Sequence, residues 1–212
     1  MIKIKWFGHS MWGISTDECR VIIDPFTDIG FPMVKGLTAD VVIASHDHQD
    51  HNNFKLIEGQ VQKITQVGTY QIKRLTIRMI QSSHGKLNGK KLGDNYMSLI
   101  LAGGVSLLHC GDLGEIPDEI ALPEITDTDV VFIPVGGKYT LDATKAKQLI
   151  DLVNPKIVFP MHYRMHGSKI DIDSIDAFAK LYPNIESLNT DTFELSKTKL
   201  PKVQRIIKMN YE

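Results

Sequence analysis

The chain has 212 residues, 42% of them hydrophobic and 23% charged, a composition that suits one sizeable core and excludes a disordered or collagen-like polypeptide. With 24 basic against 25 acidic side chains the formal net charge is −1, so no global field points to nucleic acid or to an anionic membrane, and a small-molecule substrate is expected. No apolar run approaches the roughly 18–20 residues of a membrane span, and Cys19 and Cys110 stand in no metal-ligand spacing, so buried thiols in a reducing cytoplasm are expected.

Residues 2–7 alternate polar and apolar side chains, read as a strand, and lack the apolar stretch of a secretion signal. Residues 11–15 and 20–23 are two more short strands, set apart by Gly8 and the Thr16-Asp17-Glu18 turn. Asp24-Pro25 closes the third, because proline cannot extend a central strand. A loop rich in Gly and Pro follows over 26–38, and the apolar run 41–44 then reads as a buried strand that ends at a histidine cluster. Further strands are predicted at 63–65, 69–72, 75–80, 96–101, 105–109 and 130–134. Turn-like Gln66-Val67-Gly68, Lys73-Arg74 and Ala102-Gly103-Gly104 suggest hairpins between them.

After residue 134 the pattern changes. Thr140 is the predicted N-cap of a helix through Val153, with Ala146, Leu149, Ile150 and Val153 on one face and Asp142 near its positive end. Asn154-Pro155 stops it, and 157–160 is another buried strand leading to His162. A second helix over 173–182 buries Ile175, Phe178, Ala179 and Tyr182 and ends before Pro183. Residues 186–188 and 192–195 are final strands, and the weakly patterned tail 197–212 is a candidate subunit contact, compatible with a homo-oligomer. With no repeat or linker, residues 1–212 are expected to form a single domain.

Three apolar strands each end at a potential metal ligand: 41–44 at His46, 105–108 at Asp112 and 157–159 at His162. Loops beyond strand ends are held rigidly enough to assemble a site. The first of them, His46-Asp47-His48-Gln49-Asp50-His51, offers four ligand-type residues besides Asp47. Neighbouring side chains diverge, so His46, His48, Asp50 and His51 do not easily converge on one ion. Dividing them between two ions about 3.5–4 Å apart relieves that strain. His84, Asp112 and His162 are available to complete both, and the two oxygens of Asp112 can bridge. Core histidines, or an adventitious surface loop, explain the run less well, because burying so many titratable groups without a metal is costly.

At these residues the chain resembles the metallo-β-lactamase superfamily, whose H-x-H-x-D-H signature stands here at 46–51. The segment 82–95, His109-Cys110-Gly111-Asp112-Leu113-Gly114, Ile133-Pro134-Val135-Gly136-Gly137-Lys138-Tyr139-Thr140 and Pro160-Met161-His162-Tyr163 extend the resemblance over about residues 1–165. It is nearest the small bacterial subgroup that includes ascorbate-6-phosphate lactonase-like proteins. The resemblance implies an α+β fold, a four-layer αββα sandwich with the site at one edge between two sheets. It also assigns His46, His48 and His84 to a first metal, Asp50, His51 and His162 to a second, and Asp112 to both.

Two divalent ions are expected, zinc from the donor set, with manganese or iron as alternatives. The activity implied is hydrolysis, by a hydroxide held between the ions, of an ester, lactone or phosphodiester in a small, in some cases phosphorylated, substrate. Asp50 would orient the nucleophile and shuttle a proton, alongside the shared Asp112. Lys138, Tyr139, His166 and His9 are candidates for substrate contact, and Asp24 and His109 for support behind the ligands. The rival readings are a non-catalytic metal-binding or sensing protein on the same fold and a di-iron redox protein.

Overall fold

Alternation in the opening residues sets one face of a first sheet. Ile2, Ile4 and Trp6 of strand Ile2–Trp6 are buried while Lys3 between them is exposed. This strand pairs antiparallel with Trp12–Ser15 on one edge and with Thr192–Leu195, near the end of the chain, on the other. Trp12–Ser15 pairs antiparallel with Arg20–Ile23, which continues in parallel with Val41–Ile43 and then Gln62–Ile64. Val41, Val42 and Ile43 are all buried, as a continuous apolar run predicts for a strand covered on both faces. Val41 and Ile43 join the core between the sheets, and Val42 joins an outer cluster with Phe7, Met11, Ile22, Phe26 and Ile57. This computed structural model describes residues 1–30 and 34–211, so positions 31–33 of the predicted 26–38 loop, and the last residue of the tail, lie outside the described residues.

The second sheet runs, in spatial order, Gly68–Ile72, Leu75–Ser83, Asp94–Ala102, Val105–His109, Val130–Pro134, Ile157–Met161, Arg205–Lys208 and Glu186–Ser187. Its first half is an antiparallel meander. Lys73-Arg74 and Gly103-Gly104 close the two hairpins, with Ile72 opposite Leu75 and Ala102 opposite Val105. Both glycines lie at positive φ (53° and 79°), as a two-residue turn matched to the sheet twist requires. From Val105–His109 to Arg205–Lys208 the strands are parallel, so their carboxyl ends share one edge.

Helix Ala143–Val153 makes the crossover between two of these strands and buries Ala143, Ala146, Leu149, Ile150 and Val153. Its cap is Asp142 rather than Thr140: the Asp142 carboxylate accepts from the Lys145 amide at 2.8 Å, whereas the Thr140 hydroxyl reaches only the Leu141 carbonyl. A carboxylate there also meets the positive end of the helix dipole. The second helix is Asp176–Leu181, shorter than the predicted 173–182, because the Asp173 amide and carbonyl are committed to Gly136 and Arg164. It buries Phe178, while Ile175, Ala179 and Tyr182 are half-buried.

The sheets pack face to face around aromatic rings, with Trp12 4.5 Å from Phe132 and 5.4 Å from Phe159 between centroids. This is the predicted α+β sandwich of αββα type. The helices serve the larger sheet, and among the described residues the smaller one is covered by loops and the 3-10 turn Phe54–Leu56.

Two expectations change. Gln66-Val67-Gly68 is no hairpin, because Gln62–Ile64 belongs to the first sheet and Gly68–Ile72 to the second; the turn carries the chain across the sandwich. Part of the weakly patterned tail is a further strand, since Arg205–Lys208 buries Ile206 and Ile207 within the chain's own sheet and the Tyr211 ring meets Trp6 at 6.5 Å, while residues 202–204 are exposed. No helix among the described residues is long and apolar enough to cross a membrane.

Candidate metal centre

Strand Val41–Ile43 delivers the chain to Ser45, whose amide donates to Asp24 Oδ1 at 2.7 Å and whose hydroxyl donates to Asp24 Oδ2 at 2.8 Å. Asp24 follows the neighbouring strand Arg20–Ile23 and so pins the start of the histidine loop to the first sheet. The Ser45 carbonyl accepts from the Tyr96 amide at 2.8 Å, tying the same residue to the second sheet. The loop then doubles back, with the amides of His51 and Asn52 both donating to the His48 carbonyl (2.9 and 3.0 Å). Asp47 faces outward and is held by the Asn52 side chain.

The remaining donors arrive from the second sheet: His84 after Leu75–Ser83, Asp112 after Val105–His109 and His162 after Ile157–Met161. The Asp112 amide donates to Asn95 Oδ1 (2.9 Å), and Asn95 Nδ2 donates to Ser82 Oγ and the Cys110 carbonyl, both at 2.8 Å. Gly111 is required beside it: φ is 57°, and a Cβ there would lie 2.4 Å from Asn95 Oδ1 and 2.5 Å from Ser45 Cβ. Gly136 is required likewise, since a Cβ would come within 2.2 Å of the His162 carbonyl.

The side chains converge as two groups. His46, His48 and His84 form one, His9, Asp50, His51 and His162 the other, each with its donor atoms within 4.8 Å of one another. Asp112 stands between them. Its Oδ1 is 3.2 Å from His51 Nε2, and its Oδ2 is 3.2 Å from His162 Nε2, 3.6 Å from His84 Nε2 and 4.0 Å from His46 Nε2. Several rings are fixed from behind. His51 Nδ1 donates to Asp24 (2.9 Å), His84 Nδ1 to the Tyr139 carbonyl (3.1 Å), and His46 Nδ1 meets Ser45 Oγ (2.9 Å). Each of these leaves Nε2 free to face inward, the orientation a ligating imidazole needs. His48 presents the opposite nitrogen, with Nδ1 2.9 Å from His46 Nε2.

The electrostatics follow from burial and mutual proximity. Burial, with His51 close by, depresses His46 to about 3, and burial with His162 close by depresses His9 to about 4. Burial would also lower His51, but Asp112 and Asp24 flank it and hold it well above its ordinary value. Burial would raise Asp112 and Asp24, yet the neighbouring histidines hold both below the usual carboxylate range. Even so, His51 Nε2, His9 Nε2 and Asp112 Oδ1 are buried without a hydrogen-bond partner among the described residues. Buried polar atoms aimed at one another without a partner fit a bound cation, and the imidazole and carboxylate donors suit zinc, manganese or iron.

All seven ligands expected from the sequence are brought together. His9, expected to contact substrate, instead joins the second donor group. Lys138 is exposed and paired with Asp171, Tyr139 contributes its carbonyl to His84, and His166 is exposed and in neither group. Asp24 supports His51 as expected. His109 is structural: its Nε2 donates to the Ser10 carbonyl (2.8 Å) and its Nδ1 accepts from the Gly111 amide (3.1 Å). Ser45 and Asn95 were not singled out by sequence; Ser45 directly precedes the histidine run and Asn95 ends a matched segment, which are the only signals they carry. Cys19 and Cys110 are buried free thiols, and burial pushes both upward.

A cavity of about 580 Å³ opens beside the first donor group, lined by His46, Asp47, His48, Phe54, Leu92 and Tyr96 among others, with no lysine or arginine among the described residues. A larger one, about 980 Å³, lies against Leu75–Ser83 and residues 115–124 and contains none of the donors.

Among known proteins, the β-lactamase superfamily domain matches residues 3–162. A UPF0173 metal-dependent hydrolase of Nanoarchaeum equitans is 33% identical over 190 residues, covering 76% of this chain and 84% of that protein. Its counterpart in Carboxydothermus hydrogenoformans is 28% identical over 192 residues, with the same two coverages. A crystal structure from Thermotoga maritima, described as a candidate Zn-dependent hydrolase of the metallo-β-lactamase superfamily, superposes with a TM-score of 0.84 at 30% identity over 100% of both chains.

Proposed function

The chain belongs to the metallo-β-lactamase superfamily and is a metal-dependent hydrolase, and from that premise we propose that it holds two divalent ions, zinc by donor type, and cleaves an ester or lactone in a small substrate, with phosphodiesters the next class. The observation that carries the reading is the pair of donor groups around one carboxylate, Asp112, with buried nitrogen and oxygen atoms that lack a hydrogen-bond partner among the described residues. Ions bound there would polarise the scissile carbonyl or phosphoryl oxygen and bring the pKa of a water toward neutrality.

The chain's own residues do the rest. Asp112 stays ionised beside His162 and His51 and keeps the two groups in register. Asp24 fixes the ring of His51 from behind. Asp50, with its side chain 27% exposed, is the member of the second group that solvent reaches, and it is held ionised against burial by His9 and His51. It is the group to accept a proton from the attacking water and return it to the leaving oxygen.

The cavity beside His46 and His48 has the volume of a small-molecule site. Phe54, Leu92 and Tyr96 with Asp47 and Asp94, and no lysine or arginine among the described residues, favour an uncharged and partly apolar group over a phosphorylated one.

The test is metal analysis of the purified protein before and after chelation, with ester, lactone and phosphodiester substrates. We expect two ions per chain, turnover lost on stripping and restored by zinc. Full activity in the stripped protein overturns the reading, and a loaded protein that cleaves nothing in the panel leaves the non-catalytic sensor in its place.

A further inference from the structure

We propose that His9 is a further protein ligand of the second metal, joining Asp50, His51, His162 and the shared Asp112, which closes that site with the chain's own donors and leaves the exchangeable position on the first. The proposal rests on the two-metal reading above but concerns a residue outside the matched motif segments. His9 lies in the turn between strands Ile2–Trp6 and Trp12–Ser15, far in sequence from every other donor.

Its placement is that of a ligand. His9 is 1% exposed, and its Nε2 is buried with no hydrogen-bond partner among the described residues. That atom is 3.4 Å from Asp50 Oδ2, and His51 Nε2 is 3.6 Å from the same oxygen. Neighbouring donors around a five-coordinate ion with bonds of about 2.1 Å are separated by about 3.0–3.6 Å. The His9 ring lies 4.2 Å from that of His162 and 5.4 Å from that of His51, centroid to centroid. A hydrogen bond from His9 to Asp50 is the competing role, and 3.4 Å is long for one.

The backbone supports the same conclusion. His9 sits at φ 50°, a left-handed conformation uncommon outside glycine, and is kept there by its carbonyl, which accepts from Trp6 Nε1 (3.1 Å) and from the His162 amide (3.3 Å). Strain of this kind persists where the surroundings over-determine it, and here it aims an otherwise unsatisfied imidazole at three other donors. Among the described residues the first group has no such additional donor. Its His48 is exposed and borders the cavity, so the position open to substrate falls there.

The experiment compares wild-type protein with His9→Asn, which tolerates the left-handed backbone, and His9→Gly, into which free imidazole can be added. Each is titrated with Co²⁺ against a competing chelator while the visible d–d absorption is followed. Loss of groups that merely orient a ligand costs about 10–100-fold in metal affinity, so loss of a ligand should cost at least about 100-fold at the second ion. We expect that loss, a changed second-ion spectrum, and recovery of both in His9→Gly on adding imidazole. Second-ion affinity within about twofold of wild type, with an unaltered spectrum in both variants, overturns the proposal. Wild-type protein that binds fewer than two ions overturns the two-metal reading instead.

Discussion

The two donor groups use the same kinds of side chain but are built differently. The first takes His46 and His48 from one loop and His84 from the opposite sheet, and His48 stands exposed at a cavity. The second gathers His9, Asp50, His51 and His162 from three separate parts of the chain, buries every histidine, and has Asp24 fixing His51 from behind. A buried set holds an ion and its charge in place; an exposed one lets its ligands exchange. On the two-metal reading the sandwich edge would pair an anchoring half with a working half, and Asp112 is the side chain that stands between them.

The harshest way to break that comparison is to remove the shared residue. In Asp112→Ala we expect turnover to fall by more than about 1000-fold and metal content to drop below one ion per chain, read by elemental analysis and steady-state kinetics. Retention of both ions would show the halves to be independent. Asp24→Asn separates them more gently. It keeps the side-chain volume but removes the charge that receives His51 Nδ1–H. The second ion should lose about 10–100-fold in affinity, while the first, reached only through Ser45 and His46, loses less. Equal weakening at both would abolish the distinction.

Proton competition sharpens the same contrast. Burial alone would discharge His51, but Asp112 and Asp24 raise it well above 6.5, so the metal-free protein carries a proton there at neutral pH. Metal must displace it, so second-site affinity should rise with pH up to that raised value, by at most about tenfold per unit. In the metal-free protein, the stability linked to His51 is fully present below its unfolded value and is lost as pH rises through the folded one. His46 has the opposite sign. Burial and the charge of His51 hold it near 3, so the first site meets little competition at that ring until the solution is strongly acidic. Calorimetric titration at pH 7 in two buffers of different ionisation heat measures the difference; equal proton release at both sites contradicts it.

The sequence shows these halves unevenly. His46, His48, Asp50 and His51 are legible because they are nearly consecutive, and Asp112 and His162 because each ends an apolar strand. His9 carries no comparable local signal: its partners come from distant segments, so the residues read as a turn with a possible substrate contact. Ser45 and Asn95 are hidden for the same reason, since their importance lies in which backbone and ring atoms they reach. The fold shows the same limit. Val105–His109, Val130–Pro134 and the buried face of Ala143–Val153 follow from periodicity. A strand–turn–strand signature at 66–68, however, reads alike whether the second strand joins the same sheet or the opposite one. Arg205–Lys208 is too short for a period to register, and its burial is supplied by neighbours on the sheet.

The smallest effect should come from Lys138, which the sequence singles out as a candidate to hold an anionic substrate. Its ammonium pairs with Asp171 and lies 5.7 Å from the Tyr139 ring centroid, both on the exposed side of the loop. Neither residue of the pair lines the cavity beside His48. Exposed ion pairs contribute little, and the group that orients His84 is the Tyr139 carbonyl, which the substitution leaves in place. In Lys138→Ala we therefore expect kcat/KM within about twofold of wild type and unchanged metal content. A loss beyond about tenfold, confined to KM, would mean that substrate approaches over this loop and not past His48. The working half of the site would then have to be moved from the first donor group to the second.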